Sequence, residues 1–220
     1  MAILKSSVHG KISGKIGNNV YRIVKNRVII ATTPAAYTTS YSPNAVKSRN
    51  ILTSYSKFSS QVNKILSLSA IWDNTDLPGD SPYKKILNFN KNFLKNEFLS
   101  PLNSIAPRTL TNPVKSITFS SGKLTTTLED NVFSPDSSDF TLHTVVALIK
   151  PKSKKVPFLL LTTSFEPVPV NTFNLVISLD KKFARQTSDY AQMIAYPCLT
   201  FTRDGIDAWL CDLAFPFDLS

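Results

Sequence analysis

The side chains of this 220-residue chain that most often carry chemistry are two histidines, two cysteines and fifteen carboxylates. His143 lies four residues from Asp139 in a segment that alternates like a strand. At about 3.3 Å of rise per residue, the two side chains stand roughly 13 Å apart, too far for an Asp-His catalytic pair along that strand. With His9 as the only other histidine, the nitrogen and sulfur ligands are too few for a structural zinc site. The acid pairs Glu129 with Asp130 and Asp136 with Asp139 fall in or beside turns, where solvated carboxylates are normal. Gly10-Lys-Ile-Ser-Gly14-Lys15 fails the pattern of a phosphate-binding loop: three residues separate its glycines instead of four, and Ile16 stands where Ser or Thr would reach magnesium. Backbone bends explain these glycines better. The residues therefore predict no catalytic group, no metal site and no cofactor, and the chain is expected not to be an enzyme.

The cysteines are informative through geometry. A two-residue hairpin turn at Asp204-Gly205 sets Arg203 opposite Ile206, and counting outward sets Cys198 opposite Cys211. That is a non-hydrogen-bonded pair, with Cα atoms about 4.5 Å apart, at the short end of the disulfide range. Cys198 shares its face with Thr200, Thr202 and Trp209, whereas Leu199, Phe201, Ile206, Ala208 and Leu210 make the more apolar face. Two facing free thiols are expected because nothing indicates export; their redox state stays open.

Charge is distributed unevenly. The first 72 residues hold ten cations, Lys5, Lys11, Lys15, Arg22, Lys25, Arg27, Lys47, Arg49, Lys57 and Lys64, and no acid before Asp73. Beyond that point fifteen basic residues balance fifteen acidic ones, so the whole formal charge of +10 belongs to the first third. An anionic partner is expected there, nucleic acid or the acidic face of a protein, with Lys5, Lys11, Lys15, Arg22, Lys25, Arg27, Lys47 and Arg49 as the binding residues. A solvated basic face is the plainer alternative. The longest near-apolar run, Val156 to Leu161, is far too short to span a membrane, and the start lacks the apolar stretch of a signal peptide. A protein made in the cytoplasm, unprocessed and without a membrane partner, is expected.

The elements that must position these groups fall into three segments. Residues 1-18, with glycines at 10, 14 and 17 and few bulky apolar side chains, suit an extended basic arm that needs contacts outside its own domain to be ordered. Asn19 to Ala31 reads as a β-hairpin around Lys25-Asn26, with Tyr21 and Ile23 on one face and Val20, Arg22 and Val24 on the other. After a Pro, Ala and Thr linker, Ser42-Pro43 opens a helix whose stripe is Ile51, Tyr55, Phe58, Val62 and Ile65, widened by Leu52 and Leu66. Ser81-Pro82 opens a second, with Tyr83, Ile86, Phe93 and Leu94 on one face, suggesting an αα-hairpin. From Pro107 the period changes to two, with strands expected at 114-119, 123-129, 139-149, 156-164, 172-179, 190-202 and 206-215 and a turn at Ser121-Gly122. The predicted fold is α+β: basic arm and hairpin over 1-40, a two-helix segment over 41-106, and an immunoglobulin-like antiparallel β-sandwich over 107-220.

Gly10-Lys-Ile-Ser-Gly-Lys-Ile-Gly-Asn-Asn-Val-Tyr-Arg22, followed by Val28-Ile-Ile, Thr33-Pro34 and Arg49, resembles the N-terminal box of an uncharacterised family of roughly 200-residue proteins from Bacteroidota and their crAss-like phages. The closing stretch from Tyr196 to Gly205 is similar to that family's last hairpin. The resemblance implies a virion structural role in a tailed phage and brings no catalytic residues. The expectation is a portal-vertex ring or connector protein, or an auxiliary capsid protein, touching copies of itself and other virion proteins. DNA is a further expected partner: the alternative is a nucleic-acid-binding module in which Lys11, Lys15, Arg22 and Arg27 meet phosphates and Tyr21 stacks. A carbohydrate-binding or adhesin domain would rest on the sandwich alone.

Overall fold

The computed structural model describes residues 2-4, 14-24, 27-32, 40-94, 98-134, 136-153 and 158-219. The chain divides into two compact units, Met1–Ser42 and Pro43–Ser220. Mixed helices and antiparallel sheets make the fold α+β.

The first unit is a four-stranded antiparallel sheet: β1 (Ala2–Leu4), β2 (Gly14–Ile16), β3 (Asn19–Val24) and β4 (Arg27–Thr32), in the order β1-β4-β3-β2. The expected hairpin is β3 with β4, whose ladder closes at Val24 opposite Arg27. Its connection therefore falls at Lys25-Asn26, outside the described residues. The extended arm is corrected in part. Ala2–Leu4 pairs with Val28 to Ile30, and Gly14–Ile16 pairs with Asn19 to Tyr21, so both segments find partners within their own sheet. Strand addition satisfies backbone groups without bulky side chains, so the shortage of apolar residues did not require an outside partner here. Gly17 takes φ +58 at the first position of the Gly17-Asn18 turn joining β2 to β3, a conformation that favours glycine in a tight hairpin.

In the second unit the helices come first. α1 (Pro43–Asn63) starts at the expected proline, and buries Phe58 and Val62 completely. Leu52 and Leu66 do not widen its stripe; both are exposed, Leu66 at 85%. The chain leaves helix at Lys64 and Ile65, then begins α2 (Leu66–Asp73), which turns Leu68, Ile71 and Trp72 inward. α3 (Pro82–Asn90), with proline in its first turn, buries Ile86 and continues as a 3₁₀ turn over Lys91–Phe93. Three helices thus replace the expected pair.

The strands follow as β5 (Val114–Ser120), β6 (Lys123–Leu128), β7 (Ser137–Pro151), β8 (Phe158–Phe165), β9 (Asn174–Ser178), α4 (Lys181–Gln186), β10 (Tyr190–Arg203), β11 (Ile206–Leu210) and β12 (Phe215–Asp218). β5-β6-β9 form one antiparallel sheet; β11-β10-β7-β8 form the other, with β12 also on β10. Ser121 and Gly122, at φ 50 and 74, make the expected turn. One core lies between the two sheets, built by Ile117, Leu124 and Leu175 from one and Leu142, Leu148, Leu199 and Phe201 from the other. A second core covers the opposite face of the larger sheet with Phe58, Leu68, Trp72 and Ile86 from the helices. This helical layer, absent from a two-layer sandwich, explains why β7 and β10 are buried on both faces over most of their length. No helix among the described residues is long and apolar enough to cross a membrane.

The expected strand 206-215 is two strands. Along the β10-β11 ladder the residues facing each other sum from Arg203 opposite Ile206 to Leu199 opposite Leu210, so odd-numbered residues of β10 point their backbone groups toward β11. Pro197 is the next odd position and has no N–H to offer. The chain leaves the ladder there, and returns as β12 with Phe215 opposite Ala195.

Candidate functional site

The predicted cationic residues separate between the units. In the first sheet Lys15 is opposite Val20, Arg22 opposite Ile29, and Val24 opposite Arg27. Side chains alternate along a strand, so Lys15 and Arg22 share one face with Val20 and Ile29. Lys15 and Arg22 are exposed. The other face carries Tyr21, Ile23 and Ile16 around Val28 and Ile30, as alternation predicts; Ile16 and Ile23 are exposed and Val28 is buried. Lys47 and Arg49 are exposed on the first turns of α1, in the second unit. Lys5, Lys11 and Lys25 lie outside the described residues. The structure thus brings together two of the eight predicted positions, Lys15 and Arg22, on one sheet face; the Arg27 side chain lies outside the described residues.

A second group of polar side chains is assembled by cross-strand pairing in the larger unit. His143 on β7 is paired with Ser164 on β8 and with Cys198 on β10. Its Nδ1 is 2.9 Å from the Ser164 hydroxyl, and its Nε2 is 2.9 Å from the Ser67 hydroxyl on α2 and 3.2 Å from that of Thr200 on β10. One imidazole therefore links four elements. Burial pushes its pKa down from 6.5 to about 4, so the ring is neutral at pH 7. It borders a cavity of about 220 Å³ that Asp139, Glu166 and Asp207 also line. Asp139 reaches that cavity from a bulge: the β7-β10 register shifts between Thr200 and Thr202, and Asp139 takes φ +54.

Ser67 beside His143 invites comparison with a nucleophile and its base. In a hydrolytic triad a carboxylate orients the histidine and stabilises its protonated form; here a neutral hydroxyl, Ser164, occupies that place. A ring that protonates only near pH 4 is also a weak base at neutrality. The arrangement suits a hydrogen-bonding hub better than acyl transfer. Sequence spacing offered no signal for it, since Ser164, Thr200 and Ser67 are 21, 57 and 76 residues from His143. Among the described residues no group of three His, Cys, Asp or Glu could hold a metal ion.

The hairpin takes the expected register as far as Leu199 opposite Leu210, the pair before the cysteines: Asp204 and Gly205 take φ 52 and 76, and Arg203 faces Ile206. Both thiols are free and buried. Cys198 faces the helices with Tyr196, and Leu199 and Phe201 face the smaller sheet, as alternation predicts. Compared with protein-family models, curated proteins and solved structures, the chain matches none.

Proposed function

We propose that the protein is a non-enzymatic structural component of a tailed-bacteriophage virion, a portal-vertex ring or connector protein or an auxiliary capsid protein, acting through repeated contacts with its own copies and other virion proteins. The observation that carries this reading is the separate unit Met1–Ser42, a four-stranded sheet with cationic positions on one face and exposed Ile16 and Ile23 on the other. A short sheet with two such faces suits an assembly module better than a substrate pocket. The glycine box of the sequence supplies the phage context, and Gly17 within it serves the turn that builds this sheet. The larger unit, read as an immunoglobulin-like sandwich backed by helices, would be the rigid body of the subunit. Quantitative mass spectrometry of purified particles tests the proposal: the chain is expected at a fixed multiple of the portal subunit, and its absence from particles would overturn the reading.

A second reading, a nucleic-acid-binding module, is favoured by one specific observation, the common face of Lys15 and Arg22 in a segment without acids. Each phosphate contact would lower log affinity for duplex DNA by about 0.9 per decade of salt. Titrations at several salt concentrations test it; no binding at low salt leaves an acidic protein surface as the partner.

A further inference from the structure

We propose that Cys198 and Cys211 are a redox pair that closes to an intramolecular disulfide on contact with a small-molecule disulfide, with Cys211 as the attacking sulfur. The inference stands on how the hairpin is built. The two-residue turn at Asp204-Gly205 fixes the register without slack, and the ladder runs to Leu199 opposite Leu210. Cys198 and Cys211 are the next positions outward, at a non-hydrogen-bonded site where Cα atoms approach to about 4.5 Å, within the range a disulfide bridges. Both side chains are buried in the same core cluster, on the helical side of the sheet.

Their surroundings are unequal. Cys198 lies on β10, an inner strand between β7 and β11, and burial, reinforced by the neighbouring Cys211 thiol, pushes its thiol up. At Cys211 the neighbouring Cys198 thiol lowers the pKa against the opposing effect of burial; Ser104 and the backbone of Ala106 and Ile105 help. The Ser104 hydroxyl is 3.3 Å from its sulfur, and the protonated thiol donates to the Pro197 carbonyl at 3.5 Å. Position matters too. Cys211 directly follows β11, the end strand of its sheet. Release of that edge and of Thr109, whose N–H donates to the Cys211 carbonyl at 2.7 Å, therefore uncovers Cys211 before Cys198.

The chemistry balances with a small-molecule disulfide, such as oxidised glutathione, as oxidant. The Cys211 thiolate attacks one of its sulfurs, and the S–S bond breaks to release one thiolate. The Cys198 sulfur, losing its proton to water, then attacks the Cys211 sulfur and expels the second thiolate. Two protein thiols are oxidised to one disulfide and one small disulfide is reduced to two thiols. The protein would hold a dithiol in a reducing compartment and a disulfide outside it.

The test incubates reduced full-length protein, without denaturant, with oxidised glutathione at mildly alkaline pH, then quenches with acid, unfolds and alkylates. The expected result is a monomer lighter by two hydrogens that no longer alkylates, with a crosslinked peptide joining Cys198 to Cys211. In Cys198→Ser the glutathione adduct is expected to form on Cys211 faster than it forms on Cys198 in Cys211→Ser. Two thiols still alkylated after prolonged incubation, persistent glutathione adducts on both, or dimers linked between chains would overturn the proposal. Equal adduct rates in the two variants would overturn the role of Cys211 as attacker. As a readout independent of the variants, hydrogen exchange over Ile206–Leu210 is expected to slow at least about tenfold in the oxidised wild-type protein.

Discussion

On β7, Phe140, Leu142, Val146 and Leu148 point to the smaller sheet, while Thr141, His143, Val145, Ala147 and Ile149 point to the helical side. β10 divides in the same way, with Met193, Ala195, Leu199 and Phe201 on one side and Ile194, Tyr196, Cys198 and Thr200 on the other. The sheet-facing side is held mainly by packing. Phe140 stacks on Phe201 with centroids 5.4 Å apart and meets Phe133 edge-on at 4.9 Å. The helical side is held by packing and by directed hydrogen bonds: the Tyr196 hydroxyl to the Ser100 carbonyl at 2.9 Å, Trp72 Nε1 to the Ile105 carbonyl at 2.8 Å, and His143 to three hydroxyls. Sheet against sheet buries two pleated surfaces whose backbone groups are already paired. Helices and the loop 98-107 arrive on the other face with unpaired carbonyls, and buried polar groups must find partners.

The largest effect expected from breaking this comparison is on the packed side. Phe140→Ala removes an aromatic side chain only 2% exposed, and should cost about 4 kcal/mol in urea unfolding with little change in m-value. A loss below about 1 kcal/mol would show that this core is not the packed one.

The helical side should instead show a pH dependence. His143 has a folded pKa of about 4 against 6.5 in the unfolded chain. Above pH 6.5 the ring is neutral in both states and the stability is fully present. As pH falls from 6.5 to 4 the unfolded chain takes the proton first, so stability is lost, by about 3 kcal/mol in total, and the loss levels off below pH 4. Ser67, Ser164 and Thr200 do not titrate in this window, but Asp139, Glu166 and Asp207 line the same cavity. Comparison with His143→Gln, which keeps hydrogen-bonding groups without the proton, isolates the histidine. The variant's stability is expected to be flatter between pH 6.5 and 4, and identical slopes in the two proteins would refute the assignment. A smaller change follows at the neighbouring hydroxyl. Tyr196→Phe removes only its bond to Ser100, and is expected to cost about 1.5 kcal/mol at pH 7 by urea unfolding.

The packed side was the more legible of the two in sequence. The bounds expected for β5, β6, β7 and β10 lie within a few residues of those observed: β5 and β6 bury one face and alternate, whereas β7 and β10, buried on both faces, carry near-continuous apolar runs. The break between β11 and β12 is a property of Pro197 on the neighbouring strand, which reading 206-215 by itself does not reveal. α2 was hidden because Leu66 continues the spacing of the α1 stripe, although it ends up exposed. β2 was hidden by its length of three residues, with Gly17-Asn18 as the local signal. The β10-β11 register was legible, since a two-residue turn fixes facing positions arithmetically. The His143 cluster was not: its partners come from three other elements, and only the fold brings them together.

The smallest effect is the sharpest on the comparison, because it uses one substitution on both faces. Thr144 lies on the packed side of β7 between Leu142 and Val146, 1% exposed, and its hydroxyl has no hydrogen-bond partner among the described residues. Thr200 lies on the helical side of β10, 8% exposed, with its hydroxyl 3.2 Å from His143 Nε2 and donating to the Thr141 carbonyl at 3.4 Å. Threonine and valine have nearly the same shape, so Thr→Val exchanges a hydroxyl for a methyl with little change in packing. At position 144 the exchange replaces an unsatisfied polar atom with an apolar one and should stabilise the fold by about 1 kcal/mol. At position 200 it removes a hydroxyl bonded to a buried imidazole and should destabilise by about 1 kcal/mol. Because the two residues sit on opposite faces without a shared partner, the double variant is expected to return close to wild-type stability. Equal signs for the two single variants would mean that the faces are not stabilised differently, whatever their hydrogen-bonding patterns.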